Sequence, residues 1–213
     1  MWAIARPAAL VAAALAIYSS LSLPATGDSQ AASVPPTAQS GPRLIYPAND
    51  LPTLVLPDGQ KKLVRSMLNV PRAFHYGEYA WDDKYIPPGP TWVRIDLDRQ
   101  TLSVFRGGHE IGATVILYGT DGKPTPTGVF PILERAKQHR STLYSAEMPY
   151  MLRLTNDGVA IHASNVRRGA ATHGCIGIPA SFARLLFDQV KRGDLVSIQR
   201  DASFRKASAP RSS

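Results

Sequence analysis

The sequence predicts a mostly-β fold, a β-sandwich or open barrel of short strands with one late α-helix. Three observations predict it. Apolar residues alternate with polar ones over short stretches in the middle of the chain. Turn residues such as Gly107-Gly108 and Asp98-Arg99-Gln100 punctuate those stretches. A helical apolar spacing closes the sequence near its C-terminal end. With 213 residues and 44% hydrophobic content, the chain can bury one good-sized core or two small ones.

Trp92 to Leu97 sets Val93, Ile95 and Leu97 on one face and Trp92, Arg94 and Asp96 on the other. After the turn at residues 98–100 the chain runs back from Thr101 to Phe105, with Leu102 and Val104 inward. Gly107-Gly108 turns it again into Ile111 to Leu117, completing a meander. Gly158 to Ala163 reads as a short buried strand and Leu195 to Gln199 as the last one. Between them, Phe182, Leu185, Leu186 and Val190 fall at helical spacing, with Ser181 as N-cap, Lys191-Arg192 at the C-terminal dipole and Gly193 as the stop. Lys61 to Asn69 is expected to form a short helix. Residues 71–90, rich in aromatics and prolines, are expected to extend along the domain that follows.

The ends of the chain differ in kind from its middle. Arg6 followed by the apolar, alanine-rich run from Ala8 to Ile17 reads as a secretory signal over residues 1–25, with a membrane anchor as the other reading. Residues 26–42 are small, polar and proline-bearing, as a flexible tether is. Residues 201–213 form a basic, unstructured tail. The folded part is expected to divide into a lead-in over 43–90 and a catalytic domain over 91–200. Export makes the periplasm or cell envelope the expected location.

The net charge of +8 creates a field that attracts anionic partners, nucleic acid, lipid headgroups and acidic wall polymer among them. No nucleic-acid-binding motif accompanies it, so nucleic acid is excluded as a partner. The single cysteine, Cys175, forms no internal disulfide. A lone exported thiol is either buried and inert or kept for its chemistry.

Its neighbours favour chemistry. Cys175 stands in Thr172-His173-Gly174-Cys175-Ile176-Gly177, and His162 closes the strand just upstream. A thiol needs an imidazole to take its proton, or a positive field, to become a good nucleophile. Gly174 lets backbone approach the substrate closely, and N–H groups around Cys175 suit a tetrahedral oxyanion. The reaction class is acyl transfer through a thioester. A zinc site from His162, His173 and Cys175 fits by residue type but lacks a fourth ligand. No cofactor or metal is expected. His109 and His139 read as surface residues in turns, and His75 as a residue without a partner.

This segment resembles the active-site signature of the L,D-transpeptidase (YkuD domain) family. Ile95 to Phe105 is similar to the family's opening hairpin, Pro124-Thr-Pro-Thr-Gly-Val-Phe130 to its proline-threonine-glycine loop, and Met148-Pro-Tyr150 to the stretch before the catalytic strand. The resemblance covers residues 91–199. It implies attack on a peptidoglycan stem tetrapeptide, release of the terminal D-alanine, and transfer of the acyl group to an amine or to water. It implies Cys175 as nucleophile, His162 as base, Ala163 as the residue whose carbonyl orients that base, His173 as a pocket-shaping histidine and Gly174 near the oxyanion. Stem peptides are then the partner, met by a monomer that touches the membrane only through an uncleaved N-terminal segment. The family commonly has Arg or Asn where this chain has Gly177, and Arg167 and Arg168 are expected to supply the missing charge to a stem-peptide carboxylate, with Tyr150 beside them. The same departure leaves a second reading, a weak or inactive wall-binding protein on this fold.

Overall fold

A computed structural model describes residues 41–70, 72–120, 122–141 and 145–200. The signal, most of the tether and the basic tail lie outside the described residues. The fold is mostly β, with open sheets and a single late helix. The meander is built as the alternation predicts: β6 (Thr91–Asp96), β7 (Thr101–Arg106) and β8 (His109–Val115) pair antiparallel in sequence order. The chain returns to this sheet twice, as β9 (Gly128–Pro131) and as β14 (Leu195–Gln199), which lies parallel to β6 and antiparallel to β9.

The lead-in completes the same sheet. Strand β1 (Gly41–Ile45) begins within the stretch expected as tether and pairs with β4 (Ser66–Asn69), which in turn joins the edge of β8. Strand β5 (Tyr79–Trp81) also pairs with β8. The short helix expected over residues 61–69 is therefore replaced by strands, β3 (Lys61–Leu63) and β4. Strand β3 forms a hairpin with β2 (Thr53–Val55). Local spacing misleads here because Met67 and Leu68 are buried on opposite faces of one strand, which erases the alternation.

Burial on both faces also alters the meander. Trp92 stacks on Phe105 with ring centroids 4.4 Å apart, and Leu54, Leu56 and Val64 of the lead-in cover the pair. Arg94 and Asp96, expected on the outer face, are buried there as an ion pair at 3.2 Å. The inner face carries Val93, Ile95, Leu102 and Val104 into the main core.

A second sheet of β10 (Glu134–Ala136), β11 (Met151–Arg153), β12 (Ala160–Ala163) and β13 (Ile176–Ile178) supplies the opposite wall through Leu152, Ile161, Ala163, Ile176 and Ile178. Helix α1 (Ala180–Gln189) docks on the core by Phe182, Ala183, Leu186 and Phe187. Phe182 meets Tyr79 and Trp81 edge-on at 5.7 and 5.4 Å, which ties the lead-in to the helix. Truncating such a buried ring costs about 3–5 kcal/mol. The helix caps differ from expectation. Pro179 occupies the N-cap position, so Ser181 lies inside the first turn and caps nothing. The helix ends at Gln189, before Lys191, Arg192 and Gly193. Proline's fixed φ starts a helix without a side-chain cap. Among the described residues no helix is long and apolar enough to cross a membrane.

Candidate active site

The site grows from one parallel pairing. Strands β12 and β13 run side by side with Ile161 against Ile176, His162 against Gly177 and Ala163 against Ile178. Ile161, Ala163, Ile176 and Ile178 all enter the core. Strand pleating then turns His162 and Gly177 to the other face, together with Ala160 and Cys175. That face opens on a cavity of about 300 Å³ lined by His162, Cys175 and His173, with His139, Lys123, Arg153 and Asp157 around them.

Cys175 is a free, half-buried thiol packed beside Met148, Met151 and Ala160. Its Sγ–H points at the Gly158 carbonyl at 3.8 Å. Burial pushes its pKa above the ordinary thiol value, against the pull of the Ala160 backbone N–H and of Lys123. The imidazole of His162 is lowered below its ordinary value, again chiefly by burial, with the Ala163 carbonyl opposing and His139 adding to the shift. Both shifts favour the uncharged forms, a neutral imidazole and a protonated thiol, on one cavity.

The His162 ring is oriented from behind. Its Nδ1–H donates to the Ala163 carbonyl at 2.9 Å, which leaves Nε2 as the basic nitrogen. Ser164 Oγ lies 3.4 Å from the same Nδ1. Ser164 also explains Gly177: a Cβ at that position would come within 2.8 Å of Ser164 Oγ and 2.9 Å of its Cβ. A side chain at this position would require Ser164 to shift.

The thiol's own loop is pinned on several sides. Thr172 Oγ1 donates to the Cys175 carbonyl at 2.5 Å, and Gly177 exchanges backbone hydrogen bonds with Leu117 at 2.9 and 3.0 Å. Thr125, buried in the proline-threonine-glycine loop, accepts the Gly119 N–H at 2.9 Å and donates to the Gly174 carbonyl at 3.0 Å. Gly174 sits at φ +101°, a conformation that side-chain-bearing residues rarely adopt.

Of the residues singled out in the sequence, the structure brings Cys175, His162 and His173 to one cavity and sets Ala163 and Gly174 directly behind them. It does not bring Arg167, Arg168 or Tyr150 there. Both arginines are exposed on the loop after β12. Tyr150 packs edge-on against Phe187 at 5.8 Å. The other histidines also depart from expectation. His139 is half-buried and lines the cavity. His109 starts β8 with Nδ1 2.9 Å from Ser66 Oγ, and His75 pairs with Glu78. Among the described residues no three His, Cys, Asp or Glu side chains are gathered as metal ligands. Thr125, Ser164 and His139 were missed. Only Thr125 left a signal, its place in the Pro124–Gly128 motif.

The model of the YkuD L,D-transpeptidase catalytic domain matches residues 90–198. The chain belongs to this family. A curated relative, L,D-transpeptidase 2 of Mycobacterium tuberculosis, is 26% identical over 48% of this chain and 29% of its own length. The chain thus spans under a third of that relative. Among solved structures, an L,D-transpeptidase from Stackebrandtia nassauensis is 26% identical with a TM-score of 0.50, over 54% of this chain and 58% of that one. A mutant of the Enterococcus faecium L,D-transpeptidase is 26% identical with a TM-score of 0.48, over 53% of this chain and 50% of that one. The L,D-transpeptidase match ends within β14, so the pinned thiol loop, the β12–β13 pair and α1 all lie within it.

Proposed function

We propose that this protein is an exported L,D-transpeptidase of the cell envelope that acts on peptidoglycan stem tetrapeptides, with Cys175 as nucleophile and His162 as general base. One observation carries the reading. A half-buried thiol on the residue just before β13 and an imidazole on its parallel neighbour β12, with Nδ1 already engaged, open on the same cavity.

The neutral resting pair defines the first step. His162 Nε2 takes the proton from Cys175 as Sγ attacks the carbonyl carbon of the scissile peptide bond. The Sγ–C bond forms, and the carbonyl π pair moves onto oxygen, where backbone N–H groups of the Gly174–Cys175 loop receive the charge. The C=O bond then reforms and the C–N bond breaks. The departing amine of D-alanine takes the proton from His162, leaving a thioester. An acceptor amine, or water, attacks that thioester while His162 takes its proton, and the thiol is restored. Lys123 and Arg153 beside Asp157 give the cavity charges of both signs, which suits a donor bearing both carboxylate and ammonium groups.

Intact mass after mixing the chain with a carbapenem, whose strained amide stands in for the acyl donor, tests this reading. A one-to-one adduct absent from Cys175→Ala, followed by D-alanine release from tetrapeptide muropeptides, is the expected result. A folded protein that takes no adduct would favour the wall-binding reading instead.

A further inference from the structure

One buried hydroxyl touches the thiol's peptide without touching the cavity. Thr125 is 4% exposed, and its Oγ1 both accepts from Gly119 N–H and donates to the Gly174 carbonyl. A hydroxyl has one proton to give, so with an N–H already directed at its oxygen that proton is committed to Gly174. The carbonyl of Gly174 belongs to the same peptide plane as the N–H of Cys175. In a planar trans peptide the two point in opposite directions. By fixing where the carbonyl points, Thr125 fixes where the Cys175 N–H points, away from the buried hydroxyl. The Thr172 bond to the Cys175 carbonyl fixes the next peptide.

We propose that Thr125 is a positioning residue for the oxyanion, acting through the Cys175 N–H. The inference rests on the reading of Cys175 as the acylated nucleophile. When Sγ bonds to the carbonyl carbon and the π pair moves onto oxygen, a preset N–H stabilises that charge without reorganising. A valine at 125 has nearly the shape of threonine but leaves the Gly174 carbonyl without its donor, and the peptide loses its fixed orientation.

Two reagents on the same thiol separate this role from a merely structural one. Iodoacetamide alkylates Cys175 by displacing iodide from a saturated carbon and creates no oxyanion. A carbapenem acylates it through one. In the full chain, Thr125→Val is expected to slow carbapenem acylation about 10- to 100-fold, less than the roughly 10²- to 10³-fold cost of removing an oxyanion donor outright, because the N–H is misdirected and not lost. Alkylation should stay within about twofold, and Thr125→Ser should restore acylation to within about threefold of wild type. Equal acylation by Thr125→Val and wild type would overturn the inference, as would a parallel fall in both rates. If Thr125→Val does not fold, Thr125→Ala carries the same comparison, and failure of both to fold would assign the hydroxyl to the core and overturn it too. A wild-type protein that alkylates but never acylates would overturn the acyl-transfer reading itself, and this inference with it.

Discussion

The segment around Cys175 and the loop that precedes it are built in opposite ways. From Thr172 to Gly177, hydrogen bonds from Thr125, Thr172 and Leu117 hold the carbonyls of Gly174, Cys175 and Gly177. From Asn165 to Ala171, the chain is held by buried Val166 and a turn bond from Ala170 N–H to the Arg167 carbonyl at 3.2 Å, while both arginines stand exposed. Orientation is fixed at the thiol, where the proposed reaction makes its bond. The charge-rich loop is left to solvent, where a side chain has little directional effect.

The comparison predicts steeply unequal effects. Cys175→Ala should abolish both adduct formation and D-alanine release, since no other thiol exists in the chain. His162→Ala should lower the acylation rate by about 10²- to 10⁴-fold. In the wild type the acidic decline of that rate should be centred below pH 6.5, because burial lowers the His162 pKa from this ordinary value. A stopped-flow pH profile reads both effects, and a decline already centred above pH 6.5 would contradict the assignment.

Gly177→Arg should destabilise the protein by about 1–3 kcal/mol in thermal or urea unfolding, because Ser164 already fills the space its Cβ would need. Recovery of stability in a Ser164→Gly background would sharpen the point. Glu78 tests the lead-in. Its carboxylate accepts two bonds from Arg72, at 2.7 and 2.8 Å, and the His75 N–H at 2.8 Å, which lower its pKa to about 2. This group's contribution to stability is complete above its ordinary 4.5 and is lost as pH falls toward about 2. Glu78→Gln should lower stability modestly at neutral pH, since solvent screens exposed Arg72, and should leave acylation unchanged. The smallest effect belongs to the Arg167→Ala/Arg168→Ala pair, with acylation changed by no more than about threefold. A tenfold loss there would break the contrast between the two loops.

The sequence made some of this legible and concealed the rest for physical reasons. The meander and α1 are regular and local, so their periodicity survives in the residue order. The cysteine motif is legible because its chemistry needs rare residue types close together. The lead-in strands were hidden because β4 finds its partners in β1 and β8, across long stretches of chain, and is buried on both faces. His139 reaches the cavity only through the fold of the second sheet. The close contact that crowds position 177 comes from Ser164, on the neighbouring strand's extension, and no spacing rule relates the two. Positive charge at Arg167-Arg168 was visible, but charge carries no information about direction.

The burial of Cys175 against Met148, Met151 and Ala160 has a protective side. Peroxide oxidation and disulfide exchange both proceed through thiolate. A thiol whose pKa is raised offers little thiolate to a passing oxidant. On the proposed mechanism, its reactivity is released only when a carbonyl carbon is within bonding distance and His162 can take the proton in the same event. If the chain is exported as proposed, its one cysteine is thereby suited to survive in an oxidising medium.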